Sequence, residues 1–147
     1  MNLIHPMLTN ILSLADIATW QKSIQLAEEA LTDWKKPQNL QRVYFVGHGS
    51  SLFNGLVGET ILEHICGIPA KAVPAFAFSQ YAEPSLLGPE ALVVGISTTG
   101  ETESVGRALE RARLAGSSTL AITAHKDASI TQHADTIILT GGEDDQI

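Results

Sequence analysis

The sequence predicts an α/β fold: a flavodoxin-like five-stranded parallel sheet of order 2-1-3-4-5, flanked by helices and preceded by an N-terminal helical arm. Three observations carry this. Short apolar runs alternate with longer segments of helical periodicity. The runs are continuous rather than alternating, which suits strands covered on both faces. Small polar residues collect just after the runs, where strand would turn into helix. Strands that alternate with helices imply right-handed crossovers and a parallel sheet.

The elements follow in order. From Leu8 to about Trp34, apolar residues Ile11, Leu14, Ile17, Trp20, Ile24 and Leu31 recur at helical spacing, with a possible break at Asp16 or Thr19. This is the arm, residues 1–36; the domain proper is expected over 37–147. Lys35-Lys36-Pro37 breaks the helix. Val43–Val46 is the first strand, and Ser51–Ile65 a helix with Leu52, Leu56, Ile61, Leu62 and Ile65 towards the core, closed by Gly67. Ala70–Val73 is a second strand and Ala75–Tyr81 a short helix. Leu92–Ile96 is the third strand, Glu101–Leu114 an amphipathic helix, and Thr119–Thr123 the fourth strand. Ser129–His133 makes a helical turn before the fifth strand, Thr136–Leu139. In the order 2-1-3-4-5 a crevice opens between strands one and three at their carboxyl ends, and ligands bind there.

Composition narrows the function. The 147 residues carry 44% hydrophobic and 17% charged side chains, which suits a folded domain. No apolar run reaches the roughly 20 residues of a membrane span, and no signal peptide is evident. The formal net charge of −7 argues against nucleic acid, because phosphate-backbone binding needs clustered Lys and Arg. Cys66 is the one cysteine, expected as a small buried thiol, and the chain is expected in a reducing cytoplasm. No Cys/His cluster suggests a metal, and neither metal nor cofactor is expected.

Two loops carry the chemistry: Gly47-His48-Gly49-Ser50-Ser51 after the first strand and Ser97-Thr98-Thr99-Gly100-Glu101-Thr102 after the third. Each leads into a helix, whose first N–H groups lack intrahelical partners and favour an anion. Hydroxyls of Ser50, Ser51, Ser97, Thr98, Thr99 and Thr102 can donate to phosphate oxygens, while Gly49 and Gly100 let the backbone approach closely. Neither loop holds Lys or Arg, so neither is a nucleoside triphosphatase loop, and no Gly-x-Gly-x-x-Gly is present. A small phosphorylated metabolite fits better. The plainer alternative makes both loops helix caps, with Ser50 an N-cap and Thr98 with Glu101 a capping box.

Gly49-Ser50-Ser51 and, above all, Ser97–Thr102 resemble the signature loops of the sugar isomerase (SIS) family, within it the isomerase half of glucosamine–fructose-6-phosphate aminotransferase and the fructosamine-phosphate deglycases. The likeness runs from about Val43 to about Glu143 and includes Gly67-Ile68-Pro69, Phe78-Ser79-Gln80-Tyr81 and Ala134-Asp135. It implies a phosphosugar ligand of the hexose- or aminohexose-6-phosphate type, with Gly49, Ser50, Ser51, Ser97, Thr98, Thr99, Gly100 and Thr102 at the phosphate. Thr98 stands where the aminotransferase commonly has Gln, and Thr99 where it has Ser. Relatives carry two such domains in tandem, so the chain is expected to be the first of two, truncated at Ile147 and by itself inactive. His48 is a weak candidate for the ring-opening acid and Glu143 for the isomerising base. His64, Glu59 and Glu63 are expected on a helix surface or subunit interface, and His125 and His133 as surface or cap residues. The arm is expected to support a homodimer. A non-catalytic module that senses a phosphosugar is the alternative function.

Overall fold

The computed structural model describes residues 17–37 and 39–140. The first half of the expected arm, Asp16 included, and the stretch from 141 onward, with Glu143, lie outside them.

Five strands form one parallel sheet in the order β2-β1-β3-β4-β5. They are β1 (Arg42–Gly47), β2 (Ala70–Pro74), β3 (Ala91–Ile96), β4 (Ser118–Thr123) and β5 (Thr136–Leu139). The helices are α1 (Ile17–Thr32), α2 (Gly49–Ile61), α3 (Ala75–Tyr81) and α4 (Glu103–Leu114). Short 3-10 turns lie at Pro84–Leu86 and Ser129–His133. The expected fold and order hold throughout. Alpha-1 runs through Thr19 without the expected break, its side-chain hydroxyls bonding back to carbonyls, as Thr32 does to Glu28 at 2.9 Å.

Alternation along each strand splits the core into two layers. One face presents Val46, Val93 and Ala121 to α3 and α4, where Phe78, Val105, Leu109 and Ile130 close the layer. The other presents Val43, Leu92, Val94 and Leu120, joined by half-buried Trp34, Phe45, Ile96, Ile122 and Ile138. Alpha-2 lies over β1 and β2 on this second face, and α1 lies over β5.

The packing of α2 corrects the expected core face. Leu56, Ile61 and Ile65 are exposed by 44%, 46% and 78%, while Gly55 and Gly58 meet the sheet instead. A Cβ on Gly55 would stand 2.9 Å from the Cβ of Phe45, and one on Gly58 would stand 2.6 Å from its ring. Phe45 rises from β1 into the space that the two glycines leave, so the helix seats on its smallest residues there; of the residues expected inside, Leu52 and Leu62 are half-buried, with Leu62 packed on the core, while Leu56, Ile61 and Ile65 turn outward. Its last turn widens over Leu62–Cys66 and ends at Gly67 in the left-handed region, φ 65°. Cys66 on this wide turn is exposed, not buried as expected. Glu59 and Glu63 do structural work on the same helix. Their carboxylates accept the N–H groups of Ala72 at 2.5 Å and Ala70 at 3.3 Å on the edge strand β2, which blunts that edge.

Three other contacts hold the sheet and its helices together. Arg111 on α4 donates to the carbonyls of Ser79 at 3.2 Å and Ala82 at 2.7 Å, where α3 ends. The Asp135 carboxylate accepts from the N–H of Thr119 at 2.8 Å and its hydroxyl at 3.0 Å, tying the start of β5 to β4. Gly95 admits Leu109 against β3, since a Cβ there would lie 2.8 Å from Leu109 Cδ1.

Candidate functional site

The two hydroxyl-bearing loops leave the carboxyl ends of β1 and β3, adjacent strands on either side of the reversal in strand order. The fold therefore brings Gly49, Ser50 and Ser51 beside Ser97–Thr102, as expected. In the first loop, Gly47 leaves tight space for a side chain: a Cβ would stand 3.1 Å from Ser51 and 3.2 Å from the Ile96 carbonyl. The chain then turns through Gly49 at φ 51° straight into α2. His48, not Ser50, is the N-cap residue, and it makes no side-chain cap bond.

The second loop is the more tightly built. Ser97 is buried, and its Oγ accepts the N–H of Gly100 at 3.0 Å and shares a hydrogen bond with Thr102 Oγ1 at 2.9 Å. Gly100 sits at φ 70°, pressed against Ala128 and Thr123; a Cβ there would lie 2.7 Å from Thr123 Oγ1. The carbonyl of Thr98 accepts from Ala124 N at 3.0 Å and from the Thr123 hydroxyl at 3.1 Å. Alpha-4 begins at Glu103 with Thr102 as N-cap, two residues later than the sequence predicts. The capping box of Thr98 and Glu101 does not form, because Glu101 lies before the helix and its carboxylate accepts Ser129 N at 3.1 Å instead.

What remains unspent defines the chemistry. Among the described residues, the N–H groups of Gly49 and Ser50 on one side, and of Thr98, Thr99, Glu103 and Ser104 on the other, have no acceptor within the chain. The side chains of Ser50, Ser51 and Thr98 likewise make no hydrogen bond there, and Thr99 Oγ1 only accepts, from Glu101 N at 3.3 Å. Free N–H groups and hydroxyls at the starts of two helices that follow adjacent strands can donate to an anion.

The other candidates resolve individually. His48 Nε2 lies 2.7 Å from Ser104 Oγ, joining the first loop to the first turn of α4. Nothing in the sequence singled out Ser104 except its place two residues beyond the loop. His64 is on the helix surface, its Nδ1 3.1 Å from the Thr60 carbonyl, as expected. His133 ends the Ser129–His133 turn and is half-buried, with Nδ1 enclosed and unpartnered among the described residues. His125 is exposed at the rim of an open cleft of about 480 Å³ that also takes in Thr99, Glu101, Lys126 and Asp127. On the other side of Thr98 an apolar groove of about 370 Å³ runs between Phe45, Val57, Ile61, Ile96 and Ile122. Glu143 lies outside the described residues. Among them, no three His, Cys, Asp or Glu side chains are grouped to hold a metal, and no helix is long and apolar enough to cross a membrane.

Comparison with known proteins decides the family. The model of the SIS domain matches residues 38–146.

The chain belongs to the SIS domain family.

Among curated relatives, this SIS domain is 35% identical over 92 residues to the isomerizing glutamine–fructose-6-phosphate aminotransferase of Gloeobacter violaceus, covering 63% of the chain and 15% of that protein. It is 29% identical over 106 residues to fructoselysine 6-phosphate deglycase of Escherichia coli, covering 72% of the chain and 31% of the relative. The chain thus spans well under half of these relatives. Among solved structures, the C-terminal domain of glucosamine–fructose-6-phosphate aminotransferase from Francisella tularensis superposes with a TM-score of 0.78 at 17% identity, over 97% of this chain and 41% of that one. That match concerns the fold, and it agrees with the strand order above.

Proposed function

We propose that this SIS domain binds the phosphate of a phosphosugar of the hexose- or aminohexose-6-phosphate type, and does so as part of a phosphosugar isomerase, aminotransferase or deglycase. Gly49, Ser50, Ser51, Ser97, Thr98, Thr99, Gly100 and Thr102 form the cradle. One observation supports the reading: unpaired backbone N–H groups and unspent hydroxyls collect at the starts of two helices that follow the adjacent strands β1 and β3, and neither N-cap residue, His48 or Thr102, spends its side chain on a cap bond. The relatives' names point to the same ligand class.

The residues do not share one role. Ser50, Ser51 and Thr98 are free to donate directly. Ser97 is buried and already accepts from Gly100 N, so its proton is best placed on Thr102 Oγ1, which leaves the Thr102 proton for the ligand. Ser97 then shapes the loop as much as it binds. Binding by dipoles and hydroxyls alone lets an acidic chain hold an anion locally, and hydrogen bonds to a charged group contribute about 1.5–3 kcal/mol each. Acid–base chemistry on the sugar is assigned to groups outside these two loops. A homodimer in the cytoplasm completes the proposal; the support for the dimer is the apolar surface of α1 and α2.

Thermal-shift titration tests the binding claim. Millimolar fructose 6-phosphate or glucosamine 6-phosphate should raise the melting temperature, and unphosphorylated fructose should not. The double variant Ser51→Ala with Thr98→Ala should weaken the response by about tenfold or more while leaving the ligand-free melting temperature nearly unchanged. No stabilisation by any sugar phosphate or by inorganic phosphate would remove the reading.

A further inference from the structure

We infer that His48 and Ser104 form a clasp that sets the spacing of the two phosphate-facing helix starts, which makes His48 a positioning residue rather than the ring-opening acid. The inference rests on the phosphate reading above and adds to it a residue that fixes the geometry of the cradle.

Three observations carry it. First, the β1–β3 ladder ends at Val46 paired with Gly95, so beyond that point the two loops are no longer zipped together by strand pairing. Second, among the described residues the one hydrogen bond that joins the first loop to the second loop or the start of α4 is His48 Nε2 to Ser104 Oγ, at 2.7 Å and across 56 positions of sequence. Third, the side chains beyond Gly47 in the first loop supply no other link across to the second. A Cβ on Gly49 would meet nothing within 4 Å, and the side chains of Ser50 and Ser51 make no hydrogen bond among the described residues.

The position of the bond gives it its effect. His48 is the N-cap residue of α2, and Ser104 is in the first turn of α4. A bond between them fixes the separation of the free N–H groups of Gly49 and Ser50 from those of Glu103 and Ser104. A cradle ordered before the ligand arrives loses less entropy on binding than one that must close around it. Either ring nitrogen or hydroxyl can donate, so the link needs an imidazole or an amide opposite a hydroxyl. With Nε2 engaged by Ser104, that nitrogen is not poised to deliver a proton to a sugar ring oxygen.

The test is a double-mutant cycle on His48 and Ser104, read by the dissociation constants of fructose 6-phosphate and inorganic phosphate. Ser104→Ala and His48→Ala should each weaken both ligands about three- to tenfold, the range for one hydrogen bond. The double variant should bind no worse than either single one, since both remove the same contact. Ser104→Thr and His48→Gln, which retain a hydroxyl and a side-chain N–H, should bind within about twofold of the wild type. Melting temperatures of all variants should stay within about 3 °C, because a purely structural role would move stability and not affinity. Wild-type affinity in both alanine variants, or losses that simply multiply in the double variant, would overturn the clasp. The ligand-free protein provides an independent reading: Ser104→Ala should shift the amide NMR signals of Gly49 and Ser50, and unchanged signals would overturn the clasp whatever the protein binds. A wild-type chain that binds neither ligand while those amides respond would overturn the phosphate reading and leave the clasp standing.

Discussion

Gly100 sits in the left-handed region at φ 70° with Ala128 and Thr123 packed where a side chain would begin. Its carbonyl also accepts Ile130 N and the Ser129 hydroxyl, each at 3.0 Å, so this residue helps to pin the loop after β3 to the turn after β4. Gly100→Ala therefore meets both a backbone penalty of about 1–2 kcal/mol and an overpacking cost of about 1–3 kcal/mol. The expected result is a melting temperature lowered by about 5 °C or more, with phosphate affinity lost alongside. An unchanged melting temperature would mean that the loop is softer than its contacts imply. The glycine itself was legible in the sequence, because a Gly among four hydroxyl residues after a strand signals a tight turn. The division of labour among the hydroxyls was not. Ser97 and Ser51 read alike as sequence, yet one is buried and spent on the loop while the other is free, and only the path of the chain from β3 into α4 separates them.

At the scale of elements, helical periodicity located α2 but misjudged its buried side. Leucines and isoleucines outweigh glycines in any apolar pattern, so Leu56, Ile61 and Ile65 read as core. The sheet decided otherwise, because Phe45 needs the volume above β1 and only Gly55 and Gly58 leave it. The start of α4 was misread for a comparable reason: Thr98 and Glu101 match a capping box by spacing, but Gly100 breaks the helical backbone between them. A consequence follows from the outward faces. Phe53, Val57 and Ile61 on α2 and Ile17, Trp20 and Ile24 on α1 are all exposed, Phe53 by 66%. Large apolar side chains left exposed on two helices point to an interaction surface. Light scattering on a sizing column should give a dimer at micromolar concentration, and Val57→Asp should shift it towards monomer. A monomeric wild type would contradict the homodimer.

Over the whole molecule, the strand order, the switch point and the pairing of the two loops were all legible, because each follows from alternation of strand and helix and from right-handed crossovers. The family was legible too, in the six-residue loop Ser97–Thr102. The His48–Ser104 link was not, since no local pattern ties residues so far apart. Net charge of −7 with no Lys or Arg in either loop leaves backbone dipoles and hydroxyls as the means of holding an anion. The most direct measurement is therefore residue-resolved: amide NMR of the wild-type chain titrated with fructose 6-phosphate. The signals of Gly49, Ser50, Thr98, Thr99, Glu103 and Ser104 should move together along one saturating curve, with inorganic phosphate moving the same set. Saturating shifts confined to other surfaces, or no shifts at millimolar ligand, would contradict the claim that these two loops hold the phosphate.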